Sequence, residues 1–179
     1  MYRMALLALC AFTLASCAEG PAGPGLPGGT ASEAAPASGA VFDAKDFAWS
    51  VKAGSAAIQG TLAFHRAASR YSCHGSDVLL TPETAWSRRR MIILYGSAGA
   101  ASAPVSIVRA RTPTAGAGDY ARFVRRTTCD DADHFSFRDL PDGSWFVITI
   151  AKPVDGDGET MAVTRRVQTH GGSSTVTLS

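Results

Sequence analysis

Two cysteines and two histidines stand in close pairs along the chain, Cys73 beside His74 and Cys129 shortly before His134. Together they offer two thiolates and two imidazoles, the kind of donor set that holds a tetrahedral zinc ion. Adjacent residues of an extended strand point to opposite faces, however, so Cys73 and His74 are poorly placed to ligate one ion. A disulfide between Cys73 and Cys129 is the preferred reading, and a metal-binding sensor using Cys73, His74, Cys129 and His134 is the alternative. Asp130, Asp131 and Asp133 crowd one loop, where they could hold a weak calcium ion or act as turn and cap formers. Asp155, Asp157 and Glu159 imitate the opening of a calcium loop, but Arg166 stands where such a loop needs a bidentate glutamate, which favours a hairpin turn. Arg88, Arg89 and Arg90 form a basic run that could bind phosphates or acidic glycans, or could be a solvated helix face. Ser97, in Gly96-Ser97-Ala98-Gly99, lacks the strand-to-helix spacing of a nucleophile elbow. A non-catalytic protein without a cofactor is therefore expected.

These groups must be placed in a compartment before their chemistry can be weighed. Residues 4–14 form an apolar run of about 11 residues behind Arg3, too short to cross a hydrocarbon core that needs roughly 20 helical residues. The run ends in Leu14, Ala15, Ser16 and Cys17, followed at once by a tract of glycine, proline, alanine and serine. This pattern resembles the lipobox of bacterial lipoprotein signals. The resemblance implies that residues 1–16 are a cleaved signal peptide, that Cys17 is the lipid attachment site, and that the membrane is a partner through this anchor. Ala18 follows Cys17, and the same resemblance implies export to the outer membrane, facing the periplasm or the cell surface.

Residues 17–40 contain no aromatic side chain and only one large aliphatic, Leu26, so they bury too little surface to offset the entropy of ordering. They read as a flexible tether spanning roughly 25 Å on average. Residues 41–179 are the size of one domain with one core. Without residues 1–16 the chain carries a formal charge of +1, which gives no reason to expect nucleic acid as a partner. Outside the cytosol two remaining thiols usually pair. Closing a loop of about 56 residues would stabilise the domain by about 4 kcal/mol on the chain-entropy model.

Within residues 41–179 the dominant period is two. Ile58, Gly60, Leu62 and Phe64 alternate with residues of the exposed type, as do Met161, Val163, Arg165 and Val167, and further strands are expected at 77–81, 123–129, 134–137, 144–151 and 174–178. Leu140-Pro141-Asp142-Gly143 and Asp155-Gly156-Asp157-Gly158 supply turns. One short helix is expected over 84–94, opening on a Thr84 cap, with a strand competing for 91–95. Residues 96–104 and 112–118 read as small-residue loops.

Residues 127–145, with their turn acids, alternating Phe135 and Phe137, the Leu140-Pro141-Asp142-Gly143 turn and Trp145, resemble the carboxypeptidase regulatory-like, or transthyretin-like, family. The resemblance implies an all-β, seven-stranded antiparallel Greek-key sandwich with an accessory role, such as a binding or scaffold module for an envelope protein or glycan. It also implies glycine where this chain has Asp133, so that the turn is reshaped at a cost on the order of 1 kcal/mol. Phe146, Ile148 and Ile150 are expected to line the core, with Trp145 on the opposite face or at the rim.

Overall fold

In a computed structural model of the chain, which describes residues 41–113 and 118–179, a helical turn α1 (Ala44–Phe47) and a 3-10 turn (Ala48–Val51) lead into strand β1 (Ala56–Leu62). Then follow β2 (His65–Arg66), β3 (Ser69–Ser72), β4 (Asp77–Pro82), helix α2 (Ala85–Tyr95), β5 (Ala100–Pro104) and helix α3 (Val105–Arg111). A second 3-10 segment (Gly118–Phe123) precedes β6 (Arg125–Thr128), β7 (His134–Leu140), β8 (Gly143–Pro153), β9 (Met161–Thr169) and β10 (Ser173–Leu178). The expected signal, Cys17 and the tether to residue 40 lie outside the described residues.

The strands form two sheets. In the smaller, β1 sits between β10 and β7, parallel to the first and antiparallel to the second. In the larger, β8 is central: β9 runs along one edge and carries β5, while β4 and β3 share the other edge and carry β6 and β2. The two-sheet, mostly β architecture agrees with the expectation. The ten strands and the parallel β1–β10 ladder differ from a seven-stranded, wholly antiparallel arrangement. The parallel ladder arises because the last strand of the chain returns beside the first long one rather than turning back on β9.

Between the sheets lies a core of Ile58, Leu62, Phe135, Phe137, Val176 and Leu178 from one side and Val78, Leu80, Trp145, Val147 and Val163 from the other. The phase of β8 is the reverse of the one expected. Trp145 is 0% exposed and faces this core, whereas Phe146 and Ile148 face the outside of the larger sheet, beside Leu79, where Met91 and Tyr95 cover them. A strand buried on both faces loses its alternation, because a helix layer hides the side that water would otherwise reach.

That layer is α2. The Thr84 hydroxyl accepts from the Ser87 backbone N–H at 3.2 Å and the Ser87 hydroxyl accepts from the Thr84 N–H at 2.8 Å, a reciprocal capping box. Gly96, at φ 81°, ends the helix in the left-handed region. The strand that competed for 91–95 is not formed, since burial of Met91 and Leu94 outweighs the strand preference of Ile92 and Ile93. The glycine-rich segment beyond is only partly a loop: Ala100–Pro104 is the edge strand β5, paired with β9. The turn between β7 and β8, Pro141 and Asp142, requires the glycine that follows because a Cβ at Gly143 would collide with the ring of Trp49.

Candidate functional site

A groove of about 790 Å³ lies over the outer face of the smaller sheet. Its floor follows from strand alternation. Ile58, Gly60 and Leu62 of β1 point inward, so Gln59 and Thr61 point out, and the register places Gln59 between Thr175 and Ser136, and Thr61 between Thr177 and His134. Gly60 allows this close-packed arrangement, because a Cβ there would meet the Phe135 ring. The result is a row of hydroxyl, amide and imidazole groups.

The wall of the groove comes from a hairpin that opens. Asp130 donates its backbone N–H to the His134 carbonyl at 2.9 Å, and its carboxylate accepts from the His134 N–H at 2.7 Å and the Ala132 N–H at 2.9 Å. Beyond this closed turn, β6 joins β4 and β7 joins β1, so the two strands part into different sheets, and Thr127 and Thr128 face the gap. Arg125 spans the far end, donating to the carbonyl oxygens of Asp139 at 3.2 Å and Ser50 at 3.0 Å. Arg138 and Asp139 complete the lining, which carries both signs of charge among neutral donors and acceptors. Such a surface can hydrogen-bond a polyhydroxylated ligand in many orientations. Gln59, Thr61, Ser136 and Thr175 were not singled out from the sequence. The available signal was the polar half of each period-two strand, but polar alternation marks any solvated sheet face.

The expected thiol and carboxylate residues meet at one end of this hairpin. Cys73 and Cys129 are joined as a disulfide with a Cα–Cα distance of 5.7 Å, both buried. Their sulfurs and an Asp133 oxygen lie within 4.8 Å of one another, yet the disulfide commits both sulfurs and leaves one carboxylate as the available donor of that set. Asp130, Asp131 and Asp133 reach separate partners: Asp130 the turn backbone, Asp131 the exposed His74 imidazole at 2.8 Å, and Asp133 the β3 end. His134 stands 4.0 Å from the Asp130 carboxylate, on the groove side.

Asp133 explains its own departure from glycine. Its φ of 62° is left-handed, as the turn requires, and its buried carboxylate accepts from the Ser72 hydroxyl at 2.6 Å and the Cys73 N–H at 2.8 Å, with the Arg70 guanidinium at 3.6 Å. An Asp133→Gly variant relieves backbone strain of about 1 kcal/mol but strands two donors beside the disulfide, at about 1–3 kcal/mol for each buried group left unsatisfied. Net destabilisation is expected in urea unfolding.

The Asp130 carboxyl is held below its ordinary value, first by the His134 backbone N–H and then by the Ala132 N–H and the nearby His134 and His74 charges. A lowered folded-state pKa contributes stability that is complete above the unfolded carboxylate value of about 4 and disappears as pH falls through the folded one. The stability advantage of the wild type over Asp130→Ala should therefore be constant at neutral pH and narrow below about pH 4 in pH-dependent urea melts.

Arg88, Arg89 and Arg90 occupy three environments on α2. Arg88 is 2.7 Å from Glu83, the Arg90 guanidinium lies over the Trp86 ring at 5.5 Å from its centroid, and Arg89 is exposed. Beneath Arg90, Trp86 packs with Phe42, Phe47 and Tyr120. Burial pushes the neighbouring Tyr95 phenol up to about 12, reinforced by Tyr120 and opposed by Arg90. No helix among the described residues is long and apolar enough to cross a membrane.

Fold and groove together define a two-sheet β domain with an open, polar surface groove. No protein-family model matches the chain, and no curated protein matches it in sequence. Among solved structures, the domain is similar to the crystal structure of a putative carbohydrate binding protein from Pseudomonas aeruginosa, with a TM-score of 0.54 at 22% identity over 76% of this chain and 96% of that one. At that identity the likeness is one of fold.

Proposed function

We infer that the protein is a non-catalytic, lipid-anchored module of the bacterial cell envelope, acylated at Cys17, whose carboxypeptidase regulatory-like Greek-key sandwich binds a glycan of that compartment. The observation that carries this reading is the groove floor, where Gln59, Thr61, Ser136, His134 and Thr175 line up hydrogen-bonding groups across three strands. Mixed donors and acceptors with little net charge suit neutral sugar hydroxyls better than a strongly charged ligand. The description of the Pseudomonas neighbour as a carbohydrate binding protein supports the same ligand class without assigning it. With both sulfurs in the disulfide, zinc sensing through Cys73 and Cys129 is the weaker alternative.

Titration calorimetry against a panel of neutral and acidic oligosaccharides tests the reading. Saccharide binding is expected, and Gln59→Trp, which fills the middle of the floor from the solvent side, should weaken it at least about tenfold, equivalent to roughly 1.4 kcal/mol, with unchanged thermal stability. If no saccharide binds, or if the tryptophan variant binds as well as the parent, the groove is not the site. Mass spectrometry of the amino terminus checks the acylation.

A further inference from the structure

The opposite side of the sandwich carries a surface that the groove does not use. Helices α2 and α3 contain five arginines, Arg88, Arg89, Arg90, Arg109 and Arg111, and neither aspartate nor glutamate. Three of the six exposed large hydrophobic residues among those described are also here: Ile92 at 49%, Ile93 at 52% and Ile107 at 41% exposure. Arg89 lies one turn from Ile92 and Ile93, so charge and apolar surface share a helix face. The Arg111 guanidinium donates to the Leu94 carbonyl at 3.2 Å and holds α3 beside α2. Arg88 pairs with Glu83, which Arg166 shares, and Arg90 lies over Trp86, whereas Arg89 and Arg109 have no carboxylate partner among the described residues.

We propose that the α2–α3 face docks on an anionic phospholipid surface, with Arg89 and Arg109 on lipid phosphates and Ile92, Ile93 and Ile107 entering the headgroup boundary. Guanidinium pairs with phosphate in a planar, two-bond geometry, and the exposed isoleucines beside the arginines can enter the boundary next to the phosphates so engaged. A second copy of the chain is a poor occupant, because it would set the unpaired Arg89 and Arg109 of two such faces against each other. The position of the chain entry fits as well. Phe42 packs on Trp86, in the first turn of α2, with ring centroids 5.4 Å apart, so the chain enters the domain beside this face and an anchor carried upstream keeps it within reach of the bilayer. Because α2 covers the outside of the larger sheet and the groove lies outside the smaller one, a domain docked this way presents its groove away from the lipid. The lipid anchor holds the protein at the membrane and the basic patch adds a second contact that sets which face meets it.

The proposal rests on residues that the groove does not share, so it stands or falls separately from saccharide binding. Its test is hydrogen–deuterium exchange of the full chain on vesicles of phosphatidylcholine alone and of phosphatidylcholine mixed with phosphatidylglycerol. Attachment through the N-terminal segment, acylated at Cys17 or not, acts on both vesicle types, so the difference between them is the readout. Amides of α2 and α3 should exchange at least about threefold more slowly on the anionic vesicles, and high salt or the Arg89→Glu, Arg109→Glu double variant should abolish the difference. Unchanged exchange in β8 and β9 verifies that the variant is folded. Equal exchange on both vesicle types, or slowing that survives charge reversal, would overturn the proposal. So would slowing that grows with protein concentration in the absence of vesicles, which would identify a second copy as the occupant.

Discussion

Replacing Trp145 by alanine is expected to lower the stability of the domain by about 3–5 kcal/mol, the range for removing a buried aromatic side chain from a packed core. Trp145 is 0% exposed and is the largest fully buried side chain among the described residues. Its ring meets Trp49 edge-on with centroids 4.9 Å apart, and its Nε1–H donates to the Thr169 hydroxyl at 3.2 Å. That hydroxyl in turn donates toward the carbonyl of Pro141 at 2.9 Å, so one side chain ties the Leu140–Gly143 turn to the end of β9. Trp49 covers Gly143 from the other side, and the Arg125 guanidinium sits 5.9 Å from the Trp145 ring centroid. Truncation therefore opens a cavity and loosens the contacts that close one end of the groove. Urea unfolding followed by circular dichroism measures the loss. Trp145→Phe keeps most of the volume and should recover more than half of it. A loss under about 1 kcal/mol for the alanine variant would mean that the site collapses around the vacancy or is not buried.

Removing the disulfide should cost a comparable amount. The sequence separation of Cys73 and Cys129 is 56, and on the chain-entropy model a loop of that size contributes about 4 kcal/mol. The bridge links the turn after β3 to the turn after β6, next to the buried Asp133 carboxylate that bonds the Cys73 N–H. Its loss in a Cys73→Ala, Cys129→Ala variant should lower the melting temperature on the order of 10 °C, and adding reductant to the wild type should move it in the same direction. Thiol counting on the unfolded, unreduced protein provides the independent check: no reactive thiol from this pair is expected. If the double variant melts with the wild type, the two cysteines are not cross-linked in solution.

The strands that bury one face were legible because their chemistry repeats every second residue. β1 and β7 emerge from Ile58-Gly60-Leu62 and Phe135-Phe137 with the inward faces as expected. The pairing of Cys73 with Cys129 followed from thiol accounting alone, and the structure contains it. β8 was found as a strand but with its faces exchanged, since Phe146 and Trp145 are equally apolar and only the presence of α2 over one side distinguishes them. β5 was read as loop because alanine, serine and proline carry little local preference, and pairing with β9 supplied the rest, while α3, between the two expected loops, was given no element.

The groove was the least legible feature. Gln59, Ser136 and Thr175 are far apart in the chain, and each alone is an ordinary solvated strand residue. Asp133 gave the opposite lesson. Its strained turn position was expected, but the bond from its carboxylate to the Cys73 N–H, which accounts for aspartate rather than glycine, depends on β3 lying alongside.

By itself the sequence determined what depends on local composition and period: an apolar leader and small-residue tract expected to be an exported anchor and tether, a β-rich domain, its turns, and a covalent link between two cysteines. Only the tertiary structure decided which polar residues share a surface, which side of β8 faces the core, and that the arginine-bearing helices and the groove lie on opposite sides of the sandwich. Hydrophobic periodicity records whether a side chain is buried, whereas strand register and sheet stacking, set by contacts between distant segments, determine what it is buried or exposed beside.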